Sequence, residues 1–150
     1  MALYLIAQTI GAFSASLIVK YLIGYLIGTE ANLGANAINY SYSLPLILVT
    51  ELSVTAFLMA IIFTSVHTKG LKGLGWIASG AVVGLDIFFF SFISGSAINP
   101  IRYLAPAVLS GYISDVWLYW TATFVGSAIV AIIYRKTILS KSKMIQRSLF

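Results

Sequence analysis

The chain alternates between long apolar stretches and short polar ones. Four stretches, at about 3–27, 44–67, 74–93 and 116–134, are apolar almost throughout and show no alternation of polar and apolar positions. Each has about the 20 residues that a helix needs to cross a hydrocarbon core of ~30 Å. Only helices and closed barrels satisfy their backbone in lipid, and barrel strands alternate, so the pattern predicts four transmembrane helices.

A shorter apolar segment lies between the third and fourth stretches. Asn99 is a good helix N-cap, Pro100 suits the first helical position, and Gly111 suits the end. A helix over residues 100–110 is roughly 15 Å long, which is half a bilayer. The predicted fold class is therefore an all-α integral membrane bundle of four transmembrane helices and one re-entrant half helix.

Composition and charge support a membrane location and exclude several functions. Hydrophobic residues make up 60% of the chain and charged residues 9%, whereas soluble domains have about 25% charged residues. Membrane lipid is therefore the expected surrounding, and nucleic acid is not an expected partner. The chain has no cysteine and one histidine, so we expect no metal site, no cofactor and no catalytic residues.

The distribution of basic residues predicts the orientation. We expect a transmembrane domain over 1–136 and a basic tail over 137–150. The positive-inside rule places this tail, both termini and the loop with Lys69 and Lys72 on the cytoplasmic side of the cell membrane. The rule places Glu30 and Asp115 outside.

The segment before the half helix has the chemistry of a pore wall. A helix N-terminus carries a partial positive charge, and Asn99 adds side-chain donors there. The carbonyls of Gly95, Ser96, Ala97 and Ile98 are predicted to form a row of acceptors. Arg102 is either a fixed charge in a pore or an arginine that reaches the outer interface, and the residues alone leave both interpretations open.

These residues resemble a known family. Ser94-Gly95-Ser96-Ala97-Ile98-Asn99-Pro100-Ile101-Arg102 is similar to the second signature loop of the aquaporin and glycerol-facilitator family, written S/T-G-x-x-x-N-P-A-R, and Pro106-Ala107 resembles the pair that follows it. Parts of the first, second and fourth stretches resemble the family's third, fourth and sixth spans. The resemblance implies a passive channel for water. Small neutral solutes such as glycerol are further candidate solutes.

Site residues carry over by position. The resemblance implies that Asn99, Pro100 and Ile101 form the signature motif, and that Ile87, Ser96 and Arg102 belong to the selectivity filter. Isoleucine at the position of Ile87 makes that wall apolar, as in some archaeal aquaporins. Glu51 resembles a buried glutamate that supports the signature loop. Asp86 has no family role and could pair with Lys20 or with a neighbouring subunit.

The family has six spans and two half helices in an inverted repeat, and the resemblance begins at the third span. We therefore expect the N-terminal part of the family fold to be missing, as in a truncated or split channel. The expected partner is a complementary N-terminal half or further copies in a homotetramer. Two alternatives stay open: a non-conducting membrane subunit or fragment, and a secondary transporter, since transporters also contain half helices.

Overall fold

The computed structural model describes residues 2–23, 33–68, 70 and 73–148, with side chains as far as Ile138. Glu30, Lys69, Lys72 and residues 24–27 of the first predicted span lie outside the described residues. The described helices are α1 (Ala2–Ile18), which continues as a π-helical turn over Val19–Ile23, α2 (Leu44–His67), α3 (Gly75–Ser94), α4 (Pro100–Ser110) and α5 (Val116–Ser148).

Four of these helices are long and apolar enough to cross a membrane. They cover Ala2–Leu22, Leu44–His67, Gly75–Ser94 and Val116–Ile138. The fifth, α4, has 11 residues, which is about half a span. The prediction of an all-α membrane bundle with four spanning helices is therefore confirmed.

Helices α2 to α5 form one packed group, and α1 lies at its side. α2 packs against both α3 and α5, and α4 packs against α5. A Cβ atom added to Gly126 would lie 2.6 Å from the carbonyl oxygen of Leu52, so α2 and α5 approach closely at a residue without a side chain. α1 joins this group mainly through the half helix α4.

One helix differs from its predicted boundary. α1 continues as a π-helical turn that contains Lys20, and the predicted boundary at residue 27 lies outside the described residues. α5 continues to Ser148 without a break at residue 136, where we expected a separate tail. No glycine or proline occurs after Gly126, and the Thr137 hydroxyl donates to the Ile133 carbonyl at 3.0 Å, so nothing in the sequence ends the helix at the charged residues.

The core lies where the half helix meets the first turns of α2 and α5. Tyr103 and Tyr119 are fully buried, and their ring centroids are 4.2 Å apart. The same cluster contains Ile38, Ile47, Ala97, Ala107 and Leu118. Most other large apolar side chains face outward, as expected for helices surrounded by lipid or by partner helices. The core therefore surrounds the signature loop and fixes its position.

Candidate pore-lining site

The half helix begins and ends with the residues that the sequence indicated. Asn99 is the N-cap, with extended backbone, and its side chain accepts a hydrogen bond from the Ile101 N–H at 2.9 Å. Pro100 occupies the first helical position, and Gly111 ends the helix in a left-handed conformation at φ 79°. Since the Asn99 Oδ1 is bonded to the helix, its Nδ2 group is the side-chain donor that can reach a ligand.

The loop before the half helix holds two residues in an unfavourable backbone conformation. Ser96 has φ 47° and Ile98 has φ 61°. This left-handed region costs of order 1–3 kcal/mol for a residue with a side chain and is rarest for β-branched residues. Such a conformation persists only where the surrounding structure imposes it, and here two hydrogen bonds do so.

Glu51 provides these two bonds from α2. Its carboxylate accepts the Ile98 N–H at 2.6 Å and the Ser94 hydroxyl at 2.9 Å, and the side chain is fully buried. The Tyr119 hydroxyl, from α5, donates to the Ser94 carbonyl at 2.6 Å. The structure thus joins α2, α5 and both ends of the loop through polar groups that have no access to solvent within the described chain.

Arg102 turns back toward the loop instead of extending to the outer interface. Its Nη1 donates to the carbonyls of Ser96 and Ala97 at 2.5 and 3.0 Å. The side chain remains more than a third exposed. The guanidinium is therefore held in one place while part of its surface stays open.

One cavity lies between α1 and the half helix. It has a volume of about 360 Å³ and is lined by Asn99, Ile101 and Arg102, together with Pro106 and α1 residues that include Gln8 and Ser16. Ile87 does not line this cavity. It lies on α3 with 37% of its surface exposed. The structure therefore brings Asn99, Ile101 and Arg102 to one opening and leaves Ile87 on a separate open face.

The polar groups of the loop bond mainly to other parts of the chain. The Ser96 side chain is fully buried and donates to the Asp86 carbonyl at 3.0 Å, so its hydroxyl does not face the opening. The four carbonyls are also not all open acceptors. That of Gly95 accepts a hydrogen bond from Asn36 Nδ2, and those of Ser96 and Ala97 accept from Arg102. The reason is that a buried carbonyl requires a partner, and nearby side chains supply it.

The chain's relationship to known proteins agrees with this geometry. The family model described as "Major intrinsic protein" matches residues 1–134. The chain belongs to the major intrinsic protein family. The match covers α1 to α4 and most of the last spanning helix, which extends to Ile138.

Individual relatives in the major intrinsic protein family are aquaporins. The chain is 29% identical over 142 residues to aquaporin TIP4-1 of Arabidopsis thaliana, covering 93% of this chain and 55% of that protein. It is 31% identical over 134 residues to aquaporin-5 of Ovis aries, covering 87% and 50%. It is 29% identical over 150 residues to aquaporin-2 of Rattus norvegicus, covering 99% and 55%. The chain spans about half the length of these curated relatives.

The segment before α2 supplies contacts that we did not predict for this member of the major intrinsic protein family. Besides the bond from Asn36, Asn39 Nδ2 donates to the Phe92 carbonyl at 3.1 Å, and the Asn39 N–H donates to the Ile93 carbonyl at 3.2 Å. These bonds attach the segment to the end of α3. The recurrence of asparagine in this loop was the available signal, because asparagine side chains readily bond to backbone groups.

A further unpredicted contact fixes the start of α5. The Tyr40 hydroxyl donates to Asp115, whose side chain is almost fully buried beside the first turn of that helix. This hydrogen bond is the main reason that the pKa of Tyr40 rises to about 12, so Tyr40 remains a donor throughout the physiological range. Asp115 therefore has a structural partner, although we expected it only as an outer loop charge.

Proposed function

We propose that this chain forms part of the wall of a passive transmembrane channel for water and small neutral solutes. The observation that carries the proposal is that Asn99, Ile101 and Arg102 line one cavity at the N-terminus of the half helix. Membership of the family supports it, and so do the relatives named as aquaporins. An enzymatic function has no support from these residues.

The groups at the cavity favour neutral solutes over cations. The half-helix N-terminus contributes a partial positive charge, Asn99 contributes amide donors, and Arg102 contributes a full positive charge. Exclusion of protons and cations by an arginine and by half-helix dipoles is the general rule for aquaporin-type pores. A water molecule or an alcohol can present its oxygen to these donors, whereas a cation is repelled by them.

Glu51 has a supporting role in this proposal. Its two hydrogen bonds hold the loop in a conformation that the backbone does not favour by itself. That conformation directs the carbonyls of Ser96 and Ala97 toward Arg102. Glu51 therefore positions the filter arginine through the loop, without contact with a solute.

Water is the proposed preferred solute. Ile87 gives its part of the wall an apolar side chain without a donor. In glycerol facilitators the residue after the filter arginine is usually aspartate, with a basic residue four positions later. Here those positions are Tyr103 and Ala107, and both are fully buried. Neither can offer the polar contact that a polyol requires, so we expect glycerol to pass more slowly than water.

A complete pore requires further protein in this proposal. Arg102 is more than a third exposed and Ile87 is 37% exposed, so both side chains lie on open faces of the described chain. Polar groups left facing hydrocarbon cost several kcal/mol each. We propose a complementary N-terminal half as the source of the missing wall; a homotetramer of this chain is the alternative, and flux from the chain alone would favour it. We place the assembly in the cell membrane with both termini in the cytoplasm, since basic residues are concentrated in the C-terminal part of α5.

Osmotic flux in vesicles tests the proposal. Vesicles that contain only the purified 150-residue chain should shrink after an osmotic step at the same rate as vesicles without protein. Co-reconstitution with a segment of two spans and one Asn-Pro half helix should raise the rate, and Asn99→Leu should abolish the increase. Rapid flux from the chain alone would contradict the need for a second half. A correctly assembled pair without flux would favour the non-conducting subunit.

A further inference from the structure

The signature loop begins in direct contact with the segment that precedes α2. A Cβ atom added to Gly95 would lie 2.9 Å from the carbonyl oxygen of Ala37 and 3.1 Å from its nitrogen. Distances this short leave no room for a side chain, so at this glycine two stretches of backbone lie against each other. We refer to residues 36–39, which read Asn-Ala-Ile-Asn, as the asparagine segment.

The asparagine segment bonds to carbonyl groups that the end of α3 leaves without helical partners. The Asn39 side chain donates to the Phe92 carbonyl at 3.1 Å, and the Asn39 N–H donates to the Ile93 carbonyl at 3.2 Å. Asn36 Nδ2 donates to the carbonyl of Gly95, one residue beyond the helix. The last carbonyls of a helix have no partner within it, so these bonds fix the point at which the chain leaves α3.

Of these bonds, the one from Asn36 acts next to the arginine contacts. Gly95 directly precedes Ser96, whose carbonyl is one of the two acceptors of Arg102. In the peptide group between Gly95 and Ser96, the carbonyl accepts from Asn36 and the N–H donates to the Ser94 hydroxyl at 3.3 Å. This peptide group is therefore held on both sides.

Ser96 needs this support because its backbone conformation is unfavourable. Gly95 has φ 81° and Ser96 has φ 47°, and only glycine adopts such angles without strain. A residue with a side chain stays there only while its surroundings impose the conformation. Without the bond to the Gly95 carbonyl, Ser96 could relax to a negative φ. The residue that relaxes is the one whose carbonyl contacts Arg102.

Glu51 does not hold this peptide group directly. Its two bonds reach the Ser94 hydroxyl and the Ile98 N–H, on either side of the group. Among the described residues, the hydrogen bond to the Gly95 carbonyl comes from Asn36. The loop therefore has a second, separate support, and that support comes from a different part of the chain.

Ile38 attaches the asparagine segment to the core. Its side chain is 6% exposed and belongs to the cluster that contains Ala97, Tyr103 and Tyr119. This apolar contact does not depend on the asparagine side chains. Replacement of Asn36 should therefore remove its hydrogen bond while the segment stays attached to the protein.

We propose that Asn36 is a positioning residue for Arg102: by holding the Gly95 carbonyl, it keeps the Ser96 carbonyl in place as an acceptor of the guanidinium group. Asn36 does not line the cavity beside Arg102, so it acts through the loop and not on a solute. The functional consequence rests on the proposed role of Arg102 in a channel. Asn39 bonds to α3 before the loop begins, so it should support stability without positioning Arg102.

Nitrogen NMR of the arginine side chains tests the positioning in the 150-residue chain, without conduction. Arg102→Lys identifies the Arg102 signals, and Arg135, which is exposed on α5, serves as the reference. In Asn36→Ala, exchange of the Arg102 guanidinium protons with water should become about two- to ten-fold faster, the effect of losing one typical hydrogen bond. Asn39→Ala is the matched control and should keep the native rate, and Asn36→Gln should restore part of the protection.

Two results of this measurement would overturn the proposal. One is a native exchange rate in Asn36→Ala, and the other is equal acceleration in the two alanine variants, which would indicate a general loss of stability. If Asn36→Ala does not fold, Asn36→Asp takes its place, because an ionised carboxylate keeps the shape but cannot donate to a carbonyl.

Flux through the assembled pair tests the functional consequence. Asn36→Ala should raise proton or cation leak relative to water flux, in the same direction as Arg102→Ala, whereas Asn39→Ala should leave this ratio at the native value. A pair that conducts water and keeps its native ratio in Asn36→Ala would contradict the proposal. A native pair without water flux would instead contradict the proposed function, and the exchange rates would still decide the positioning.

Discussion

The Lys20 ammonium group donates to the Leu109 carbonyl at 2.8 Å. Lys20 lies in the π-helical turn that continues α1, and Leu109 lies in the last turn of the half helix. Among the described residues, this is the side-chain hydrogen bond that joins α1 to α4. It places a positive charge at the negative end of the same helix whose positive end carries Asn99. The partner of Lys20 is therefore a helix end, and not Asp86.

Loss of this charge should loosen the end of the half helix. We expect Lys20→Met to destabilise the protein by about 1–2 kcal/mol, the usual range for a hydrogen bond to a charged group at a helix end. Amide hydrogen exchange over residues 107–111 should become faster. Lys20→Arg should retain most of the protection because it keeps the donor and the charge. Equal exchange in Lys20→Met and the native chain would show that the contact contributes nothing.

Glu51 should be intolerant of apolar replacement. Glu51→Leu leaves the Ile98 N–H and the Ser94 hydroxyl buried without acceptors, each at a cost of about 1–3 kcal/mol. Glu51→Gln keeps one acceptor oxygen and should lose less. Thermal unfolding in detergent should therefore rank the native chain above Gln and Gln above Leu. A stability of Glu51→Leu equal to that of Glu51→Gln would show that the loop does not depend on these bonds.

Gly95 and Gly111 form a matched pair for substitution by alanine. Their φ angles are 81° and 79°, so alanine encounters the same backbone strain at both. At Gly95, the added Cβ would also lie 2.7 Å from the Tyr119 hydroxyl and 2.9 Å from the Ala37 carbonyl, whereas at Gly111 no atom lies within 4 Å. We expect Gly111→Ala to cost about 1 kcal/mol and Gly95→Ala to cost clearly more, measured as the difference in thermal midpoint. Similar losses would mean that the loop adjusts without strain.

Arg102 should control ion exclusion in an assembled channel. Replacement by alanine removes a positive charge from a site of low dielectric constant, where charges act strongly. Proton or cation leak through the assembled pair should rise, while water still passes. Arg102→Lys keeps the charge but cannot reproduce the planar guanidinium contacts to two carbonyls, so its leak should be intermediate. Unchanged leak in Arg102→Ala would place the arginine outside the conduction path.

Membrane orientation can be tested with single cysteines. Asp115 is buried, so Ile113, which is 57% exposed in the same turn, is the better position for labelling. A membrane-impermeant thiol reagent should reach Ile113→Cys from outside and Lys136→Cys only from inside. The opposite pattern would reverse the proposed topology.

Sequence reasoning located the elements whose causes are local. The half helix over 100–110 begins and ends at residues whose backbone preferences fix those ends: asparagine as cap, proline in the first turn and glycine in the left-handed region. The orientation of Ser96 and the bond from Asn36 to the Gly95 carbonyl depend on contacts between segments distant in sequence. The pattern of polar and apolar residues within one segment therefore could not predict them. The family resemblance supplied Glu51, but it could not indicate that Lys20 caps the half helix, because that contact requires the packing of α1 on α4.

The bond between Glu51 and Ile98 has a consequence for biosynthesis. The two residues are 47 positions apart, so at about 5–20 residues per second the ribosome needs about 2–10 s after Glu51 to add Ile98. During that interval α2 has no loop to satisfy its carboxylate, and an isolated helix with such a group is poorly retained in hydrocarbon. Glu51 therefore makes α2 dependent on residues translated later. We therefore expect α2 to gain its full stability in the membrane only after α3 and the signature loop have been synthesised.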